Sequence, residues 1–291
     1  MRRDGKRAKE LDMEYAITPH IMPTRNDALN MVELNIPQQP IHEYLNAKRK
    51  EGKNISHLAV IIAAYARMLG QFPYVNRFVV NKTVYDRNEF NVGMVVLKDG
   101  KMDNGTMSKV NFDPADTIFE VNEKINTYIG TNRDENQVNA TDKLAKILLS
   151  VPGLLRLGVC AFKLLDKHGL LPRAVIDASP FHTSLSISNL ASIRTNHIFH
   201  HIYNFGTTGV FITMGNNCDV VKTDKEGNVY LERCIPLGVV MDERICSGSY
   251  FSLAFKKFKK YLNDPTLLEV KPDPQDVVKI VPYRKDKYPD E

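Results

Sequence analysis

Apolar and polar residues alternate through residues 28–36, "ALNMVELNI", and a period of two predicts a strand that Pro37 ends. The period then changes. "PIHEYLNAKRKEG", residues 40–52, has Pro40 near the start of a predicted helix and Gly52 just past its end. Residues 54–72, "NISHLAVIIAAYARMLGQF", form the clearest helix in the chain, with Ser56 as N-cap. Leu58, Ile61, Ile62, Tyr65, Leu69 and Phe72 make an apolar stripe so wide that this helix is expected to be buried. Residues 90–100 and 106–112 read as strands, and 113–129 as a helix opened by Pro114 and Asp116. "FHTSLSISNL" (181–190) and "TTGVFITMG" (207–215) read as two inner strands flanking "ASIRTNHIFHHIYNFG". A short apolar strand, Ile235 to Val240, then leads into "MDERICSGSY" and an amphipathic helix. The order is mixed α and β, without the regular alternation or glycine fingerprint of a dinucleotide-binding fold.

One stretch departs from this pattern. Residues 143–173, "KLAKILLSVPGLLRLGVCAFKLLDKHGLLPR", are rich in Leu, broken at Pro152-Gly153, and interrupted by Lys146, Arg156, Lys163 and Lys167. A bilayer span needs about 20 unbroken apolar residues, so two amphipathic helices are the better reading. The pair is expected to pack its leucines on its own domain; the alternative is a hairpin for a membrane surface or a partner. At the ends, residues 1–19 form a basic arm; residues 1–10, with Arg2, Arg3, Lys6, Arg7 and Lys9 against Asp4 and Glu10, are expected to be solvated, the alternative being contact with phosphate or anionic lipid. Residues 269–291 form a polar, Pro-rich tail, expected to be extended or disordered.

Composition narrows the function classes. The chain has 291 residues, 43% hydrophobic and 25% charged, which is ordinary for a globular protein with one sizeable core. A net charge of +5, concentrated at the start, gives no reason to expect a nucleic-acid partner. Cys160, Cys218, Cys234 and Cys246 are scattered without a CxxC pair, so neither a zinc site nor a disulfide framework is expected, and no other metal site. The basic start lacks a following apolar segment of the secretory kind, and a cytoplasmic location is expected.

Three segments together carry a family resemblance. "NISHLAVIIAAYARMLGQFPYVNRFV" resembles the helix and FPxxN turn of 2-oxo acid dehydrogenase acyltransferase catalytic domains. "SLSISNLASI" is similar to their TISNLG strand end, and "MDERICSGSYFSLAFKKFKKYLNDPTLLE" to their DHRxxDG signature, following helix and YLxDPxxLL close. The same fold includes chloramphenicol acetyltransferase. The likeness runs in order over residues 20–268, with 143–173 as a helical insertion. It implies a mixed-sheet α/β sandwich with flanking helices, assembled as a homotrimer with active sites in channels between subunits. Coenzyme A or an acyl-coenzyme A enters such a channel from one side and the small-molecule partner of the acyl transfer from the other. No lipoyl domain is expected with the segment, so the chain does not read as the core of a dehydrogenase complex.

Carried over by position, the resemblance places Ser188 on the serine that hydrogen-bonds the oxyanion, followed by Asn189 and Leu190. Asp242, Arg244 and Gly248 fall on the flanking residues of the signature. Glu243 stands where the family has its histidine base, and Ser247 where it has an aspartate. A glutamate near its ordinary pKa of about 4.3 is a feeble base, but burial in a channel raises that value. The structural alternative pairs Glu243 with Arg244 or another cation. His200 and His201, between the two inner strands, are further candidate bases, and His182 a weaker one. Cys246 is either a nucleophile or a small buried apolar residue. Three functions stay open at this level: a coenzyme-A-dependent acyltransferase with an altered base, a non-catalytic trimeric binding or scaffold protein, and a membrane-surface partner acting through 143–173.

Overall fold

The computed structural model describes residues 2–9, 11–97, 105–133, 140–150 and 153–277. Its centre is a seven-stranded mixed sheet. The strands are β2 (Leu29–Pro37), β5 (Phe90–Leu97), β6 (Gly105–Phe112), β7 (Leu185–Asn189), β8 (Val210–Met214), β9 (Cys218–Thr223) and β10 (Val229–Asp242). They run in the order β2-β10-β8-β7-β5-β6, and β9 pairs with the leading half of β10. Only the β5–β7 and β7–β8 pairs are parallel. A separate small sheet joins β1 (Gly5–Arg7), β4 (Thr83–Arg87) and β3 (Phe78–Val80).

Strand alternation divides the large sheet into two unlike faces. Leu34, Ile36, Val92, Met94, Leu185, Ile187, Val210, Ile212, Leu237 and Val239 belong to the main core. Against them lie α2 (Gln38–Lys50), α3 (His57–Gln71), α4 (Ile118–Arg133) and α8 (Gly248–Asn263). The Ser56 hydroxyl caps α3 by accepting from Ala59 N at 3.1 Å. Every residue of that helix from Ala59 to Gly70 is buried, as its wide stripe predicts. Tyr65 sits at the centre, its ring 6.0 Å from those of both Phe90 and Phe258. Burying a side chain of this size stabilises the fold by roughly 1.5–3 kcal/mol.

The other face carries Ser186, Ser188, Phe211, Thr213, Gly238 and Val240, and the segment 191–206 lies across it. Ile198 N donates to Thr213 Oγ1 at 3.1 Å, which pins the segment to β8. A side chain at Gly238 would collide with Ile198 O and meet the His197 ring at 3.1 Å, so glycine lets the segment settle on the sheet. Ile202, Phe211 and Val240 form a second, small apolar cluster beneath it.

Two expectations fail, each for a physical reason. The basic start is not solvated at its tip. Arg2 is 4% exposed, donating to both Asp4 oxygens at 2.9 Å and to Asp166 Oδ1 at 2.7 Å, with its guanidinium over the Phe78 ring. Two carboxylates and an aromatic face offset its desolvation. Helix α1 (Met13–Ile21) follows. The helical pair of 143–173 does form, as α5 (Ala140–Leu149) and α6 (Leu154–Lys167), followed by α7 (Arg173–Ala178). Its leucines are only partly buried on the domain: Leu171, after the pair, is buried, and Leu148, Leu154 and Leu165 are half-buried. The buried residue of α6 is Asp166, whereas Leu155, Leu157 and Leu164 are exposed. Of the tail, residues 269–277 are described, with a short 3-10 turn at Pro274–Asp276, and 278–291 lie outside the described residues.

Candidate functional site

One carboxylate sets the turn after β10. Asp242 is fully buried, and its Oδ1 accepts from Arg244 Nε at 2.8 Å and Arg244 N at 3.2 Å. Its Oδ2 accepts from Arg244 Nη2 at 2.7 Å and from Arg25 Nε at 3.2 Å. Both guanidiniums then reach backbone oxygens: Arg25 those of Tyr203 and Gly206, Arg244 that of Met22. Burial pulls the Arg25 pKa down from its ordinary value, and the Asp242 charge opposes that shift. A carboxylate so occupied holds a turn in shape and takes no proton from a substrate. Arg25 has no counterpart in the sequence reading, because nothing near residue 25 marks it as the partner of a residue 217 positions away.

Arg244 is thereby committed to Asp242, which removes the pairing of Glu243 with Arg244. Glu243 is exposed, anchored through its backbone N–H to Ala28 O at 2.8 Å. Beside it the Ser247 hydroxyl accepts from Tyr250 N at 3.1 Å and caps α8. Serine and aspartate are both good N-caps, so the substitution at this position removes a charge and keeps the cap. Ser247 lines a cleft of about 440 Å³ with Lys9, Tyr15, Tyr74, Arg77 and Tyr250. A side chain at Gly248 would meet nothing within 4 Å, so the turn opens onto free space. Cys246 is buried and burial pushes its thiol pKa up, which makes it an apolar core residue and no nucleophile.

Ser188 lies at the other end of the sheet. It is half-buried on β7, and its hydroxyl makes no hydrogen bond among the described residues. The Asn189 side chain accepts from Ser192 N at 3.2 Å and caps the short 3-10 turn that follows. Next to it is a cleft of about 480 Å³ lined by Arg49, His57, Asn189, Ser192 and Met214, among others. Arg49 and His57 escaped the sequence reading because they lie on helices far along the chain from the Ser188 motif. Burial lowers the His57 pKa, with His42 and Arg49 adding to the shift.

Register fixes the separation of the two motif segments. Ser188 pairs with Thr213, and Thr213 with Gly238, five residues before Glu243. At about 3.3 Å per residue, Glu243 is about 17 Å further along the sheet and roughly 10 Å across it. One chain does not bring them together.

The histidines divide. His200 stacks on Phe211 at 4.2 Å, on the sheet face that carries Ser188, with its Nδ1 2.8 Å from His201 O. His201 is exposed and meets Tyr203 edge-on. His197, passed over in the sequence, packs over Gly238 with Nε2 3.6 Å from Glu33 Oε2. His182 has the outline of a triad member, with Nδ1 2.7 Å from Ser179 Oγ and Nε2 3.4 Å from Asp166 Oδ1. It has no exposed surface, and Asp166 is already bound to Arg2, so this group ties α6 to the domain and does not face a substrate. Among the described residues, no group of three or more His, Cys, Asp or Glu is placed to hold a metal ion.

No protein-family model matches the sequence, and no curated protein matches it closely. Solved structures do match. A probable dihydrolipoamide acetyltransferase from Listeria monocytogenes is 14% identical, over 92% of this chain and 97% of its own, with a TM-score of 0.56. The cubic core of a pyruvate dehydrogenase multienzyme complex is 10% identical, over 90% and 93%, with a TM-score of 0.54. A chloramphenicol acetyltransferase is 11% identical, over 87% and 96%, at 0.52. The fold is therefore that of 2-oxo acid dehydrogenase acyltransferase cores and chloramphenicol acetyltransferase. At these identities the likeness extends to the fold and leaves the chemistry to be argued from the residues.

Proposed function

We propose that the protein is a coenzyme-A-dependent acyltransferase that works as a homotrimer, each site combining Ser188 of one copy with Glu243 of the next. The observation that carries this reading is the separation of the two groups within one chain, each left open. Apolar surface suited to contact between copies supports it. Met31 and Val95 are exposed on the large sheet, Ile198 and Phe199 on the segment across it, and Val221, Val229 and Leu231 on the β9–β10 ribbon. A core of the same fold assembles as a cube.

In such a channel the neighbouring copy removes water from around Glu243, and a less solvated carboxylate is the better base. Glu243 takes the proton of the attacking thiol or hydroxyl. The resulting nucleophile adds to the acyl carbonyl, the Ser188 hydroxyl donates to the oxyanion, and collapse expels the former carrier of the acyl group. A thiol nucleophile demands less of a carboxylate base than an alcohol does. Arg49, beside Asn189, offers a cationic wall to the phosphates of coenzyme A, and the neutral His57 ring a hydrogen-bonding partner. The acceptor is a small molecule, and the site of action the cytoplasm.

A second reading places the base within the same chain. His200 favours it, because its ring lies on the sheet face of Ser188. A thiol-release screen over several acyl-coenzyme A donors, run on Glu243→Gln, His200→Asn and Ser188→Ala, separates the readings. Glu243→Gln and Ser188→Ala are each expected to lower turnover by about 10²-fold or more, with coenzyme A binding little changed. Full activity in Glu243→Gln together with loss in His200→Asn transfers the role to the histidine. Coenzyme A binding without turnover of any donor leaves a trimeric binding protein.

A further inference from the structure

Helix α6 shows solvent a surface divided lengthwise into two strips. At 3.6 residues per turn, Leu157, Cys160, Ala161 and Leu164 fall in one sector about 100° wide. Arg156, Lys163 and Lys167 fall in the adjoining sector, about 40° wide. All of these residues are exposed, Leu157 at 72% and Leu164 at 59%. The acidic residue of α6, Asp166, points the other way, buried against Arg2. Helix α5 adds exposed lysines and apolar residues, Lys143 and Lys146 with Ile147 and Leu149, without their separation into strips. Among the described side chains of the pair, all exposed charge is positive.

The basic edge of α6 also forms a wall. Lys163 and Lys167 line a cleft of about 420 Å³ with Lys82, and the paired charges Arg25, Arg244 and Asp166 line it as well. Lys82 sits at the tip of the β3–β4 turn with φ of 61°, which brings a further cation to the same edge.

We propose that α5 and α6 dock the protein on an anionic phospholipid surface, with the leucines in the acyl boundary and the lysines among the headgroup phosphates. Two parallel strips, one apolar and one basic, match a planar boundary where hydrocarbon gives way to phosphate. A second copy is the poorer occupant, because in a symmetric contact it would bring the same basic strip against this one. The cleft gives the edge of the strip room for a headgroup. No described helix is long and apolar enough to cross a membrane, so the contact is one of surface depth. The two strips hold neither Ser188 nor Glu243, although the cleft reaches Arg244 beside Glu243, and the inference stands independently of acyl transfer.

Cys160 supplies the probe, since it is exposed within the apolar strip while Cys234 and Cys246 are buried. In a Cys218→Ser background, an environment-sensitive fluorophore on Cys160 is expected to shift to the blue with vesicles of phosphatidylcholine and phosphatidylserine. Phosphatidylcholine alone gives little shift. Unlabelled protein floats with the anionic vesicles, and K163E/K167E lowers that partitioning about 30-fold or more, at roughly fivefold for each lysine lost near an anionic surface. L157D/L164D loses about tenfold or more per leucine. Unchanged melting curves confirm that these surface variants fold. Failure of the parent to float with phosphatidylserine vesicles overturns the proposal, as does flotation of both variants at the parent's level. A blue shift that follows protein concentration without lipid assigns the strip to a second copy and overturns it. Phosphate binding in the cleft without flotation assigns the lysines to a free anion, with the same consequence.

Discussion

Asp242 shows what a single residue does for the motif turn. It holds two buried guanidiniums, so its removal leaves both charges without their partner. Asp242→Asn is expected to destabilise the fold by about 3–5 kcal/mol, read as a lower urea midpoint. A change below about 1 kcal/mol would contradict the clamp. The sequence identified Asp242 as support for the signature but gave Arg244 no definite partner, since adjacency suggests Glu243 and only geometry selects Asp242. Cysteine reactivity follows burial in the same way. Exposed Cys160 is expected to react first with a disulfide reagent and Cys218 next. Cys234, pushed up to about 11 by burial and Glu232, and buried Cys246 should stay silent until the chain unfolds. Fast native labelling of Cys246 would reopen its candidacy as a nucleophile.

Lys109 gives a pH test at this scale. Burial, with Arg87 adding to it, pushes its ammonium down to about 8 from 10.5, although Nζ donates to Ile176 O and His182 O. Between these two values the unfolded chain holds a proton that the folded chain has released. Raising the pH through that window therefore adds to folded stability. Wild-type stability relative to Lys109→Met is expected to rise from pH 8 to pH 10.5, measured by urea midpoints in the two proteins. A constant difference across the window would refute the shift.

Elements whose role depends on local pattern were legible. The wide stripe of α3, its Ser56 cap and the period-two run of β2 all appear near their predicted bounds, because local chemistry decides each of them. The β1 pairing with β4 and the β9 pairing with the leading half of β10 were not legible, since both depend on which strand lies alongside. The orientation of α6 was misread for a related reason. Its sequence defines an apolar side, but the buried side is chosen by Asp166 meeting Arg2 and His182. For α8, Ser247→Ala is expected to cost about 1 kcal/mol, while Ser247→Asp keeps the cap and gains from the helix dipole. Thermal melts of the two variants check this; equal melting points would deny the cap. Gly238→Ala is expected to lift the segment around His197 and Ile198 from the sheet, seen as faster proteolysis within 191–206.

At the scale of the whole molecule, the sandwich was legible from three motifs in order, and half of the candidate site with it. What no single-chain pattern contains is the distance between Ser188 and Glu243, which follows from strand register. Light scattering is expected to give three times the mass of one chain at micromolar concentration. The most direct test mixes two inactive proteins. Ser188→Ala and Glu243→Gln are unfolded together, refolded as mixed trimers and assayed with the donor that wild type turns over. A site shared between neighbours regains both wild-type groups in about a quarter of cases at equal mixing, so activity near one quarter of wild type is predicted. Mixed trimers no more active than the separate variants would contradict a site built from two copies.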